Sequence, residues 1–185
     1  MKDTSTIRRL LLVGFMGSGK TLVGQALARR LGWGFRDFDQ EVKIRSGLPI
    51  PEIFRQHGEG HFRDMEAQVG QEVLLDESVV LASGGGWPAV LGRMEGLPEG
   101  SLSVWLIVTP EEAVRRVREE GPTRPLMALK DPLARARKIL AEREVHYRKA
   151  EVTLDSQEGN PEELARRIEE IMNQSGRGRL PSTSA

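Results

Sequence analysis

Residues Gly14-Phe-Met-Gly-Ser-Gly-Lys20-Thr21 follow directly on the apolar run Ile7 to Val13 and fit the pattern G-x-x-x-x-G-K-[ST]. In such a run the glycines let successive backbone N–H groups turn inward around an anion. Lys20 can then reach the β- and γ-phosphates of a nucleotide, and the Thr21 hydroxyl is placed to coordinate Mg²⁺. Beyond it, Val23, Leu27, Ala28 and Leu31 recur at helical spacing, so the N-terminus of a helix over Thr21 to Leu31 should point at the same phosphates. Strand, loop and helix therefore occur in the order that a phosphate-binding loop requires.

Working outward, short apolar runs alternate with helical patterns. Strands are predicted near Leu10 to Val13, Gly34 to Asp37, Val79 to Ala82, Leu102 to Val108 and Val152 to Leu154. This alternation predicts an α/β protein with a parallel sheet covered by helices on both faces. The stretch Gln40 to Glu72 is helical in pattern but broken at Ser46-Gly-Leu-Pro and at His57-Gly-Glu-Gly, which suggests an inserted helical subdomain over about 38–72. Glu119-Glu-Gly-Pro-Thr-Arg-Pro separates the helical stretches Glu111 to Arg118 and Pro132 to Arg148 and reads as a mobile connection, a lid over about 119–130. Pro161 to Met172 reads as a last amphipathic helix. A single domain is expected over 1–174, with a disordered polar tail over 175–185.

Composition narrows the function classes. The 185 residues suit one domain, and 27 Lys plus Arg balance 27 Asp plus Glu, so no global field draws the chain to nucleic acid or an anionic membrane. With no cysteine there are no disulfides, thiolate metal sites or cysteine nucleophile. Arg8-Arg9 before Leu10-Leu-Leu-Val resembles the start of a signal peptide. The apolar run is short and ends in the glycine-lysine loop, so it reads as a buried strand, and a cytoplasmic protein is expected.

Other constellations are weaker alone. Asp37-Phe-Asp39 falls at the carboxyl end of the second strand, where two carboxylates could hold the water shell of Mg²⁺ and orient a hydroxyl; equally, Asp39 could cap the next helix. Ser83-Gly-Gly-Gly86 follows the third strand, and three consecutive glycines imply that something approaches the backbone closely. Arg63 and Glu66 are neighbours on one helical face, either as a surface salt bridge or as a carboxylate fixing a guanidinium for an anionic substrate. His57, His61 and His146 read as solvated or locally bonded rather than as a metal site. Trp33, Trp87 and Trp105 read as core or pocket-edge residues.

In this order, GFMGSGKT, DFD, IPEIFRQHGEGHFRDME, SGGG, RPLM, EREVHY and the late Asn160-Pro161 resemble the shikimate kinase family from about Arg8 to Met172. The resemblance implies a three-layer nucleoside-monophosphate-kinase-like P-loop fold with a five-stranded parallel sheet. It implies ATP and Mg²⁺ as cofactors and shikimate as substrate; no nucleic-acid or membrane partner is expected from the charge balance, and a monomer is expected. Carried onto this chain, Gly17, Ser18, Gly19, Lys20, Thr21 and Leu22 would hold nucleotide. Arg118, reached only across a one-residue gap, would flank adenine with Asn160 and Pro161, and Arg124 would come from the lid to the phosphates. Asp39, Arg63, Arg143 and the backbone of Gly84, Gly85 and Gly86 would hold shikimate, supported by Phe54, Phe62 and Glu66. Lys20, Asp39 and Arg124 would be catalytic, with the metal on Thr21 and, through water, Asp37. The chain departs from many relatives at Leu22, Ser83 and Met127, which bears on nucleotide affinity and lid packing. A gluconate-type kinase and a non-catalytic nucleotide-binding regulator are the competing readings; retention of Lys20, Thr21, Asp39 and Arg124 together argues against the second.

Overall fold

A computed structural model of the chain describes residues 7–120 and 130–175. Arg124, most of the expected lid and the tail beyond residue 175 lie outside the described residues. Five strands, β1 (Arg9–Val13), β2 (Gly34–Asp37), β3 (Val79–Ala82), β4 (Ser101–Ile107) and β5 (Val152–Asp155), form one parallel sheet in the order β2-β3-β1-β4-β5. The helices are α1 (Lys20–Leu31), α2 (Phe38–Ser46), α3 (Ile50–Val73), α4 (Pro110–Glu119), α5 (Pro132–Tyr147) and α6 (Pro161–Ser175).

Burial along each strand matches its place in the sheet. All five residues of β1 are buried because β1 is central, whereas edge strand β2 has no fully buried residue. Strand alternation then splits the core in two. Leu10 and Leu12 of β1 join Val104 and Leu106 of β4 against α1 and α6. Leu11 and Val13 face the other way, with Trp105, into a second cluster supplied by α2, α3, α4 and α5. Both faces are covered, as the alternating pattern predicts for a parallel sheet. Arg9 is buried in β1 rather than leading a signal peptide; its guanidinium donates to the carbonyls of Asp76 (3.0 Å) and Glu99 (2.8 Å) and ties down the amino end of the sheet.

The chain runs from β1 to the edge at β2, returns to β3 beside β1, and then crosses to β4 on the other side. The order of connection therefore reverses at β1, and the crevice at the carboxyl ends of β1 and β3 is where an open parallel sheet binds ligands. Two predicted features open directly into it: residues 14–21 after β1 and the glycine run 84–86 after β3. The expected break at His57-Gly-Glu-Gly is present, since Gly58 inside α3 has φ 80° and ψ 171°. With nothing near the position a Cβ would take, Gly58 serves conformation alone and lets the second part of α3 set off in its own direction.

Candidate active site

Four helices begin on a side chain that satisfies their first N–H groups. Asp37 caps α2, Thr109 caps α4, Asp131 caps α5, and Asn160 Oδ1 accepts from the N–H groups of Glu162 and Glu163 at the start of α6. Helix α1 begins on Gly19, which has no side chain and sits at φ 84°. The positive end of α1 is thus left to meet an anion held by the preceding loop. The Lys20 ammonium bends back over that loop and donates to the carbonyls of Gly14 and Phe15, both at 2.9 Å, which holds the cation at the loop's centre. Ser18 is fully buried beneath it. Leu22, one residue into the helix past Thr21, is by contrast 60% exposed.

Thr21 Oγ1 donates to Asp37 Oδ2 at 2.7 Å, so the phosphate loop and the end of β2 are already joined at the pair expected to hold a metal. The other Asp37 oxygen accepts from the N–H groups of Asp39 (2.9 Å) and Gln40 (3.3 Å). The cap of α2 is therefore Asp37 and not Asp39, because the last strand residue has the extended backbone (φ −112°, ψ 122°) that a cap needs while the chain is already helical from Phe38. Asp39 is left with its carboxylate turned toward the glycine run. No cluster of three or more His, Cys, Asp or Glu able to hold a metal occurs among the described residues. A hydroxyl and one carboxylate fit Mg²⁺ that keeps most of its water and takes oxygens from bound phosphates.

The three glycines after Ser83 touch the site on different sides. A Cβ on Gly84 would run into the Oε1 of Glu66 and the Oδ1 of Asp39; one on Gly86 would come within 2.5 Å of Arg63 Nη1. At Gly85 the neighbours are Gly14 O and Met16 N of the phosphate loop, both 3.6 Å from that position, and Arg143 Nη1 at 3.7 Å. One stretch of bare backbone thus gathers Asp39 from α2, Arg63 and Glu66 from α3, Arg143 from α5 and the phosphate loop.

Glu66 is 1% exposed, which settles the reading left open by its spacing: its pair with Arg63 is no surface salt bridge. The Glu66 Oε2 accepts from Arg63 Nη1 at 3.0 Å, and Arg93 Nη1 lies 3.8 Å from the same oxygen. Burial pushes the Glu66 carboxyl above the usual range, and the two arginines pull it back. Its other oxygen, Oε1, is buried and without a hydrogen-bond partner among the described residues, as is Ser83 Oγ. Buried polar atoms are almost always paired, so two orphans beside the glycine run mark a place built to meet a polar ligand. The far side of the Arg63 fork is held by exposed Glu59, at 3.1 and 3.3 Å, and the Phe54 and Phe62 rings stack 4.8 Å apart beside it.

Some functional neighbours escaped the sequence. Arg93 donates to the Trp87 carbonyl at 3.2 Å, lies over the Trp87 ring, and so walls Glu66 from behind. Arg116 of α4 donates to the Gly17 carbonyl and to Ser156 Oγ, both at 3.1 Å, clamping the phosphate loop to the turn after β5. Arg118, two residues on, instead lines a groove with Glu111, Val114, Arg115 and Leu133 between α4 and α5; the structure brings Arg116 to the loop, not Arg118. A helical turn of 3.6 residues puts these two arginines on different faces, a fact that the gapped correspondence could not supply. The Asn160-Pro161 turn has a local explanation, since Asn160 N donates to Glu163 Oε2 (2.9 Å) while Asn160 caps α6 in return. Tyr147 closes the site from below, donating to the Gly85 carbonyl at 2.5 Å. His57 and His61 face each other on α3, with ring centroids 4.9 Å apart.

A parallel α/β sheet with a phosphate loop at its switch point and a charged pocket beside it defines a P-loop small-molecule phosphotransferase. The family model for shikimate kinase matches residues 16–173. A shikimate kinase of Nitrobacter winogradskyi is 44% identical over 151 residues, 82% of this chain and 70% of the relative. The solved structure of shikimate kinase from Acinetobacter baumannii in complex with shikimate superposes with a TM-score of 0.85 at 34% identity, covering 94% of this chain and 97% of that one. A gluconokinase from Sinorhizobium meliloti, at 17% identity and a TM-score of 0.56, shares the fold alone. The chain belongs to the shikimate kinase family.

Proposed function

We propose that this chain transfers the γ-phosphoryl group of ATP to the 3-hydroxyl of shikimate, giving shikimate 3-phosphate and ADP in the route to chorismate and the aromatic amino acids. The observation that carries the reading is the convergence on Gly84 to Gly86 of two arginines, two carboxylates and the phosphate loop. A hydroxylated carboxylate acceptor meets each of these groups in kind. Arg63 and Arg143 would bind its carboxylate, with the Arg63 fork fixed by buried Glu66, so that little orientation is left to lose on binding. Asp39 would orient the acceptor hydroxyl and take its proton as the oxygen attacks the γ-phosphorus and the bond to the β,γ-bridging oxygen breaks. Lys20 and the N-terminus of α1 would stabilise charge on the transferring group, and Arg124 would add a second cation. Mg²⁺, held through Thr21 and through water by Asp37, would neutralise the phosphates. On the nucleotide side Gly17 to Leu22 would line the phosphates, with Arg116 a better-placed α4 residue than Arg118. We read the protein as a cytoplasmic monomer; no helix among the described residues is long and apolar enough to cross a membrane.

The test is ADP release with shikimate and with gluconate side by side. Turnover with shikimate alone supports the reading. Turnover with gluconate alone, or with neither when ATP binds, overturns it.

A further inference from the structure

Arg93 lies in the segment between β3 and β4, with 16% of its side chain exposed. Two contacts with Trp87 hold its guanidinium: Nη1 donates to the Trp87 carbonyl at 3.2 Å, and the group lies over the indole, 5.3 Å from a ring centroid. That platform is itself fixed. Trp87 is buried, meets Phe38 of α2 edge-on with centroids 5.3 Å apart, and fills the space beside Gly70 of α3, where a Cβ would run into the indole Nε1. From there Arg93 Nη1 stands 3.8 Å from Glu66 Oε2, near enough for charge and too far for a hydrogen bond.

Glu66 needs that charge. Its carboxylate is buried, its Oε1 has no hydrogen-bond partner among the described residues, and its Oε2 accepts from Arg63, a side chain still 30% exposed. Asp39 works against it from α2, since Asp39 Oδ1 and Glu66 Oε1 both crowd the position of a Cβ on Gly84. A carboxylate out of water is costly unless it is well paired, and beside a second carboxylate the cost rises.

Resting on the reading of Arg63 as a ligand of the acceptor's carboxylate, we infer that Arg93 is a positioning residue for the acceptor: its charge, set on the Trp87 platform, keeps buried Glu66 ionised beside Asp39, so that Arg63 is held by a charge-assisted bond before shikimate arrives. A neutral Glu66 would grip Arg63 more weakly. A long arginine side chain has many rotamers, and a firm hydrogen-bond acceptor removes that freedom ahead of binding. With two guanidinium groups on one carboxylate, Arg63 also keeps positive charge to offer an incoming anion.

The experiment separates charge from anchoring by steady-state kinetics. Arg93→Gln keeps a donor for the Trp87 carbonyl and removes the charge, whereas Arg93→Lys keeps the charge. Both are compared with Arg63→Ala, with Glu66→Gln and with the double variant of Arg93→Gln and Glu66→Gln. Arg9→Met is the control: Arg9 is a buried arginine that bonds backbone carbonyls at the amino end of the sheet, away from the pocket, and calibrates what a stability loss alone does. Arg93→Gln should raise the KM for shikimate about tenfold, with kcat and the KM for ATP within about twofold of wild type. Arg93→Lys should stay within about threefold, and Arg9→Met should melt lower with a normal shikimate KM. On the Glu66→Gln background Arg93→Gln should add less than about twofold, because the charge it serves is gone. A normal shikimate KM in Arg93→Gln, with Arg63→Ala impaired, overturns the inference and leaves the site reading intact. So does a KM in Arg93→Lys as high as in Arg93→Gln, a raised KM in Arg9→Met, or a full additional effect on the Glu66→Gln background. A normal Arg63→Ala overturns the site reading and the inference together. Should Arg93→Gln fail to fold, Arg93→Met, neutral and packed by its apolar stem, takes its place with the same expectations.

Discussion

The phosphate loop is one unbroken stretch, Gly14 to Thr21, whereas the acceptor pocket beside it draws Asp39, Arg63 with Glu66, and Arg143 from three helices onto the backbone of Gly84 to Gly86. The loop works through backbone N–H groups, a helix end and one lysine, all fixed by local conformation. The pocket works through charged side chains fixed by burial against each other. A damaged loop should therefore lose rate, and a damaged pocket should lose acceptor binding. This division gives the predictions their direction.

The largest effect is expected at Lys20. Lys20→Ala should lower kcat by roughly a hundredfold to a thousandfold, since a positioned cation is lost from the transferring group, while shikimate binds as before. Rapid-quench measurement of the chemical step together with the melting temperature checks this, and a folded variant of normal rate breaks the comparison. Arg63→Ala and Arg143→Ala should each weaken shikimate binding by roughly 2 to 4 kcal/mol with ATP affinity little changed, because a desolvated carboxylate is left short of a charge-assisted partner. Calorimetric titration of each ligand separates the two sides.

Gly84→Ala sharpens the contrast, because the backbone there needs no left-handed conformation and the added methyl strikes only Glu66 and Asp39. It should cost on the order of 1 to 3 kcal/mol of stability by overpacking and weaken shikimate binding, with nucleotide binding retained. Thermal melting with each ligand in turn checks both halves. Tyr147 supplies a pH test. Burial is the main reason its pKa rises from 10.0 to about 12. Above the unfolded value the unfolded chain has lost the proton that the folded chain keeps. Stability is thus complete below about pH 10 and is lost as pH rises toward about 12. Between about pH 9 and pH 11 the wild type should lose on the order of 1 kcal/mol more stability than Tyr147→Phe, read from urea midpoints. The smallest effect belongs to Arg115 on α4, which pairs with Glu112 at the same three-residue spacing as Arg63 with Glu66 but is 56% exposed. Arg115→Ala should leave the melting temperature and the binding of either ligand unchanged, because an exposed pair contributes little.

That last pair of pairs shows where the sequence stops being readable. Spacing finds Glu112 with Arg115 and Arg63 with Glu66 equally well; only the packing of α3 under the glycine run makes the second a buried element of the site. The phosphate loop and the strands were legible because their signals are local: fully apolar runs, a glycine-lysine pattern, and turn residues at 46–49 and 57–60 that fall where α2 ends and α3 breaks. The residues missed depend on closure of the chain at long range. Arg93 reaches Glu66 only after β3 has been laid beside β1, and Arg116 reaches Gly17 only across the sheet. Asp37 and Asp39 divide the work in a way that only the packing shows: Asp37 caps α2 and accepts from Thr21, while the Asp39 carboxylate lies beside Gly84 of the glycine run.

The division itself is tested most directly by titrating shikimate and ATP into Lys20→Ala and into Arg63→Ala by calorimetry, four titrations on two folded variants. The account predicts a crossing: shikimate binds Lys20→Ala with near-normal affinity and Arg63→Ala at least about thirtyfold more weakly, while Arg63→Ala keeps its affinity for ATP. Parallel losses of both ligands in both variants would contradict it, since loop and pocket would then be a single unit.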